Sequence, residues 1–110
     1  MIEDSFISSK SNTSGVNEKD PKWILGVYVA KYGADYEVLS RVIQCESGWK
    51  HEGVFGDSNR AYGIAQFHRP TWDLFNKQRN TNLDYYNLDD QLNMISWAFA
   101  NKYQSHWSCK

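Results

Sequence analysis

Asp35-Tyr36-Glu37-Val38-Leu39-Ser40-Arg41-Val42-Ile43-Gln44-Cys45-Glu46-Ser47-Gly48 carries the clearest pattern in the chain. Asp35 is a helix N-cap residue, Val38, Leu39, Val42 and Ile43 fall on one side at helical spacing, and Gly48 suits the left-handed turn that ends a helix. Glu46 therefore lies in the last turn, at the edge of the apolar stripe, facing the interior or a cleft wall. The negative end of the helix and the apolar neighbours both disfavour a carboxylate anion, which pushes this acid toward staying protonated.

The elements on either side are mostly helical. Asp20-Pro21 reads as a cap followed by a first-turn proline, and Trp23, Ile24, Val27 and Ala30 recur at three- and four-residue steps before Gly33, which predicts a helix over 21–32. Upstream, residues 1–19 include Ser8-Ser9-Lys10-Ser11-Asn12-Thr13-Ser14-Gly15, too poor in apolar groups to offset their ordering entropy, and read as a tail or linker. Residues 48–67 are dense in turn formers and predict irregular loops with room for a short hairpin. Pro70-Thr71-Trp72-Asp73-Leu74-Phe75 opens a short third helix with Trp72 and, before it, Phe67 in the core, while residues 76–87 read as a polar connection. A last helix begins at Asp89 or Asp90, carries Leu92, Ile95, Ala98 and Phe99 on one face, and ends about Lys102. The expectation is one mainly α, compact domain over 20–110 with a loop-rich segment at its site.

Composition narrows the partners. The chain has 110 residues, 12 Lys plus Arg against 13 Asp plus Glu, and a formal charge of −1, so it lacks the basic field that holds a nucleic-acid backbone. No apolar run approaches the ~20 residues of a membrane span, and the start Met1-Ile2-Glu3-Asp4-Ser5 shows no export signal. Aromatic residues reach 15%, a supply of flat, partly polar rings that serves either a small core or a sugar-binding groove.

Cys45 and Cys109 have no companions at metal-ligand spacing, and His51, His68 and His106 are scattered and read as surface groups, so no metal site is expected. The two cysteines are either free thiols or a bridge closing a loop of about 64 residues, worth roughly 4 kcal/mol in the chain-entropy model. A bridge would imply an oxidising compartment.

Three segments taken together, Cys45-Glu46-Ser47-Gly48, Gly63-Ile64-Ala65-Gln66-Phe67 and Thr71-Trp72, resemble the lysozyme-like transglycosylase superfamily, and within it the resuscitation-promoting-factor type. The resemblance covers residues 36–75 well and 76–110 loosely. Soluble lytic transglycosylases share the Glu-Ser and Gly-Leu-x-Gln parts, the latter with Ile64 at the leucine position here. Their late Ala-Tyr-Asn motif is absent here, and Ala100-Asn101-Lys102-Tyr103 does not replace it, so Tyr103 inherits no role.

The resemblance implies a lysozyme-like fold, a site outside the cytoplasm, and cleavage of peptidoglycan glycan strands between MurNAc and GlcNAc by a monomer without a cofactor. Glu46 would protonate the leaving oxygen, as a carboxylic acid of raised pKa can. The same residue would then deprotonate the sugar's own 6-hydroxyl, giving a 1,6-anhydro end. A hydrolytic muramidase would need a second carboxylate. Asp57 is the candidate, although Gly56-Asp57-Ser58-Asn59 reads equally well as an Asp-stabilised turn. Ser47 could bond Glu46, a sugar or the helix end, Gly63 could admit substrate close to the backbone, and Gln66 could hold an N-acetyl or hydroxyl group. Trp49 and Tyr62 are candidate glycan contacts. A wall-binding module that keeps the groove but not the activity is the non-enzymatic alternative.

Overall fold

The computed structural model describes residues 19–109; most of the expected tail, residues 1–18, lies outside them. Helix α1 spans Pro21–Tyr32, with the Asp20 carboxylate accepting from the Lys22 N–H at 2.9 Å and Gly33 closing it in the left-handed region. Helix α2 spans Tyr36–Ser47, capped by Asp35 on the Val38 N–H and ended by Gly48 at φ 64°. These caps satisfy amides that a helix start leaves without partners, each worth about 1 kcal/mol.

Three two-residue strands follow, β1 (Phe55–Gly56), β2 (Ala61–Tyr62) and β3 (Phe67–His68), paired antiparallel in that order. Phe55 lies opposite Tyr62, and Tyr62 opposite Phe67. The chain then enters α3 (Arg69–Arg79), α4 (Leu88–Ala100) and a 3₁₀ turn over Gln104–His106. The fold is mainly α with a small sheet, as expected.

Two boundaries differ from the sequence reading. Helix α3 runs on through Asn76-Lys77-Gln78-Arg79: Lys77 and Gln78 face solvent, while Asn76 bonds the Leu83 backbone and Arg79 bonds Tyr32 and Asn93, so the helix stays packed one turn beyond the buried Trp72 and Phe75; left-handed Asn80 ends it. Helix α4 starts earlier, since Asn87, not Asp89 or Asp90, supplies the capping oxygen to the Asp90 N–H at 2.9 Å, and it ends at Ala100.

The core joins Leu25, Leu39, Ile43, Phe67, Trp72 and Phe75 to Leu92, Met94 and Ile95 of α4, all essentially without solvent contact. Burial of a side chain of this size stabilises by about 1.5–3 kcal/mol, so the loop segment between β2 and β3, whose Ile64 and Ala65 join the same core, is held by apolar contact as well as by hydrogen bonds.

Candidate active site

Glu46 sits where the end of α2, the β2–β3 segment and the C-terminal chain meet. Its side chain is half-buried, and Oε2 accepts a hydrogen bond from the Cys109 backbone N–H at 3.3 Å. Burial raises the Glu46 pKa above its ordinary value, because the charged form loses solvent; the Cys109 N–H and the nearby His68 act in the opposite direction and only partly offset it. The cysteines are bridged, so Cys45 of α2 covalently holds the residue whose amide touches the acid.

Ser47 uses its hydroxyl on backbone. It donates to the Ile64 carbonyl at 2.7 Å and makes a longer contact with the Ile43 carbonyl at 3.2 Å, tying the end of α2 to the segment that begins at Gly63. That segment is pinned from three further sides. His51 is buried, contrary to the surface position expected of it: Nδ1 accepts from the Ile64 N–H at 3.0 Å and Nε2 donates to the Tyr86 carbonyl at 2.8 Å, a pattern that specifies one tautomer. Gln91 of α4, fully buried, accepts from the Ala65 N–H and donates to the Tyr62 and Tyr85 carbonyls at 2.9–3.0 Å. Trp107 donates its indole N–H to the Ala65 carbonyl at 2.8 Å.

Gln66 is brought into the same segment in a left-handed conformation, φ 52°, but its amide is not open to a ligand in the way expected. Both donors of Nε2 go to backbone, the Val54 carbonyl at 3.0 Å and the Gly63 carbonyl at 2.8 Å. Its Oε1 packs so closely on Gly56 that a Cβ there would stand 2.2 Å away. The residue braces the loop.

Gly63 has a structural reason of its own. Its φ is 86°, and a Cβ would fall 2.6–2.8 Å from the Gln91 amide, a side chain held by three hydrogen bonds and unable to yield. Gly63→Ala is therefore expected to destabilise the fold by about 3 kcal/mol, combining left-handed strain with overpacking. Urea unfolding measures this; a loss below 0.5 kcal/mol would show that Gln91 moves aside freely.

A hollow of about 380 Å³ opens beside this frame, walled by Phe55, Tyr62, Tyr85 and Tyr86 and rimmed by Arg60, His68 and Arg69. Tyr62 is its centre, with ring centroids of Phe55, Tyr86 and Tyr85 at 4.9, 5.2 and 6.0 Å. A smaller hollow lies across His68, between Gln66, Thr71, His106 and Trp107. Neither Trp49 nor Glu46 lines either hollow; Trp49 is half-buried against the core with the Lys22 ammonium 5.4 Å from its ring centre.

Asp57 begins a run of three left-handed residues with Ser58 and Asn59. One carboxylate oxygen meets His68 Nε2 at 2.9 Å and the other Arg60 Nη2 at 3.2 Å, so the expected turn is present and the candidate second acid is engaged by two basic side chains. His68 thus stands between the two acids, bonded to Asp57 and within electrostatic reach of Glu46. Among the described residues no cluster of His, Cys, Asp and Glu could hold a metal ion.

Sequence reasoning missed His51, Gln91, Trp107 and the Tyr85-Tyr86 pair. Only Gln91 left a usable signal, since it falls in register with Ile95 and Ala98 on the apolar stripe of α4. Comparison with protein-family models, with curated proteins and with solved structures finds no match to the chain.

Proposed function

We propose that this protein cleaves the glycan strand of peptidoglycan between MurNAc and GlcNAc as a lytic transglycosylase, with Glu46 as general acid and then general base and with no cofactor. The observation that carries the reading is the Glu46 carboxyl itself: half-buried at a helix end, its proton affinity raised by burial, with a backbone N–H left to steady the anion when the proton is given up. Such a group can protonate the glycosidic oxygen and then take a proton back. The substrate's N-acetyl group would stabilise the cationic sugar, and its own 6-hydroxyl, oriented in the same molecule, would outcompete water.

The aromatic hollow supports a sugar ligand. Phe55 and Tyr86, both more than half exposed, present the apolar faces on which pyranose C–H groups stack, while Tyr62, the expected glycan contact, is buried beneath them and forms the floor of the hollow. The muramidase alternative is less well supported, because each oxygen of the Asp57 carboxylate is paired with a basic side chain, Arg60 or His68, which favours its role in the turn over that of base or nucleophile. The Cys45–Cys109 bridge favours an oxidising, extracytoplasmic compartment. Among the described residues no helix is long and apolar enough to cross a membrane.

Digestion of purified peptidoglycan followed by mass spectrometry tests the proposal. Anhydro ends, one water lighter than hydrolysed ends, are expected. Hydrolysed ends would shift the reading to a muramidase, and binding to the wall without soluble products would leave a binding module.

A further inference from the structure

We propose that the aromatic hollow recognises a carboxylate on the glycan, through the guanidinium of Arg69. This deepens the glycan reading and rests on it: the ligand becomes a strand whose lactyl carboxylates are free of stem peptide, because a lactyl group that carries a stem is an uncharged amide.

Arg69 opens α3 at the rim of the hollow. Its Nε–H donates to Asp73 Oδ1 at 3.2 Å, and its guanidinium lies 5.0 Å from the centre of the Tyr85 ring. The ion pair and the ring face orient the guanidinium at the rim. Among the described residues Nη1 and Nη2 make no hydrogen bond, so the fork that binds a carboxylate by two parallel bonds is unoccupied by protein.

The other charges around the hollow do not supply that partner. Arg60 directs Nε and Nη2 to Asp57, and His68 bonds the same carboxylate, so Asp57 is engaged on both oxygens. Asp73 is already on the Nε side of Arg69. A neutral sugar seated on Phe55 and Tyr86 would leave the Arg69 fork without an anion, whereas one bearing a carboxylate would fill it.

Calorimetric binding to the Glu46→Gln protein tests this with two probes, an alternating GlcNAc–MurNAc tetrasaccharide with free lactyl carboxylates and the same tetrasaccharide with those carboxylates amidated. The free acid is expected to bind on the order of tenfold more tightly at low salt, and the advantage should collapse in an added Arg69→Gln change while the amide's affinity stays. Arg69→Lys, which keeps the charge but not the fork, should retain only part of it. Arg69 is exposed, and an unchanged melting temperature checks that the variants fold. An acid-to-amide ratio below fivefold in the Glu46→Gln protein, or a ratio untouched by Arg69→Gln, overturns the inference and leaves the cleavage proposal standing. No saturable binding of either probe overturns both.

Discussion

Glu46→Gln protein is expected to release muropeptides at a rate on the order of a hundredfold or more below that of the unaltered chain, while still binding the glycan. Glutamine keeps the shape and the hydrogen bond from Cys109 but has no proton to transfer. The pH dependence adds a sign. Because burial raises the Glu46 pKa, the protonated form persists to higher pH than an ordinary glutamate would, and kcat/KM should hold until the pH passes through that raised value and then fall. The contribution of the protonated carboxyl to folding follows the same direction: fully present below the ordinary glutamate pKa, and lost as pH rises through the raised one. Turnover of Glu46→Gln within a few fold of the unaltered chain would remove Glu46 from the chemistry.

Breaking the disulfide should produce the largest loss of stability. The bridge closes a 64-residue separation, and opening it returns about 4 kcal/mol of chain entropy to the unfolded state, equivalent to roughly 20 °C in melting temperature for a domain of this size. Unfolding of a Cys45→Ser, Cys109→Ser double variant measures it. A second consequence separates this bridge from a mere staple. The freed C-terminal chain would no longer present the Cys109 N–H to Glu46, a contact that lowers the acid's pKa, so the high-pH limb of the activity profile should move further upward. An unmoved limb would show that Trp107, through its bond to Ala65, holds the segment without help from the sulfurs.

The parts of the fold that were legible in the sequence are those determined by neighbours in the chain. Asp20-Pro21, Gly33, Asp35 and Gly48 act on amides and dihedrals within a few residues, so α1 and α2 begin and end where those residues indicate. The polar run after Phe75 reads as a connection because a polar helix end and a loop share a composition; what distinguishes them, the bonds of Arg79 to Tyr32 and Asn93, comes from residues far along the chain. In the candidate site, Glu46 stood out through the helix end and the apolar stripe, both local features. What Gln66 and His51 do depends on partners 3 to 35 positions away, and a side chain's polarity does not reveal whether its hydrogen bonds go to a ligand or to the protein's own backbone. Asp57 was the intermediate case. Its turn was readable from Gly56-Asp57-Ser58-Asn59, but its engagement by His68 required strand β3 to be brought alongside.

The three hydrogen bonds of the Gln91 amide, reaching Tyr62, Ala65 and Tyr85 from inside α4, have a kinetic meaning for whatever occupies the neighbouring hollow. A surface loop ordinarily loses freedom when a ligand arrives, and that lost freedom weakens capture. Here the wall of the hollow is preorganised by a helix core, so a ligand that enters it should meet lock-and-key behaviour, with little entropic penalty and little rearrangement between empty and filled states.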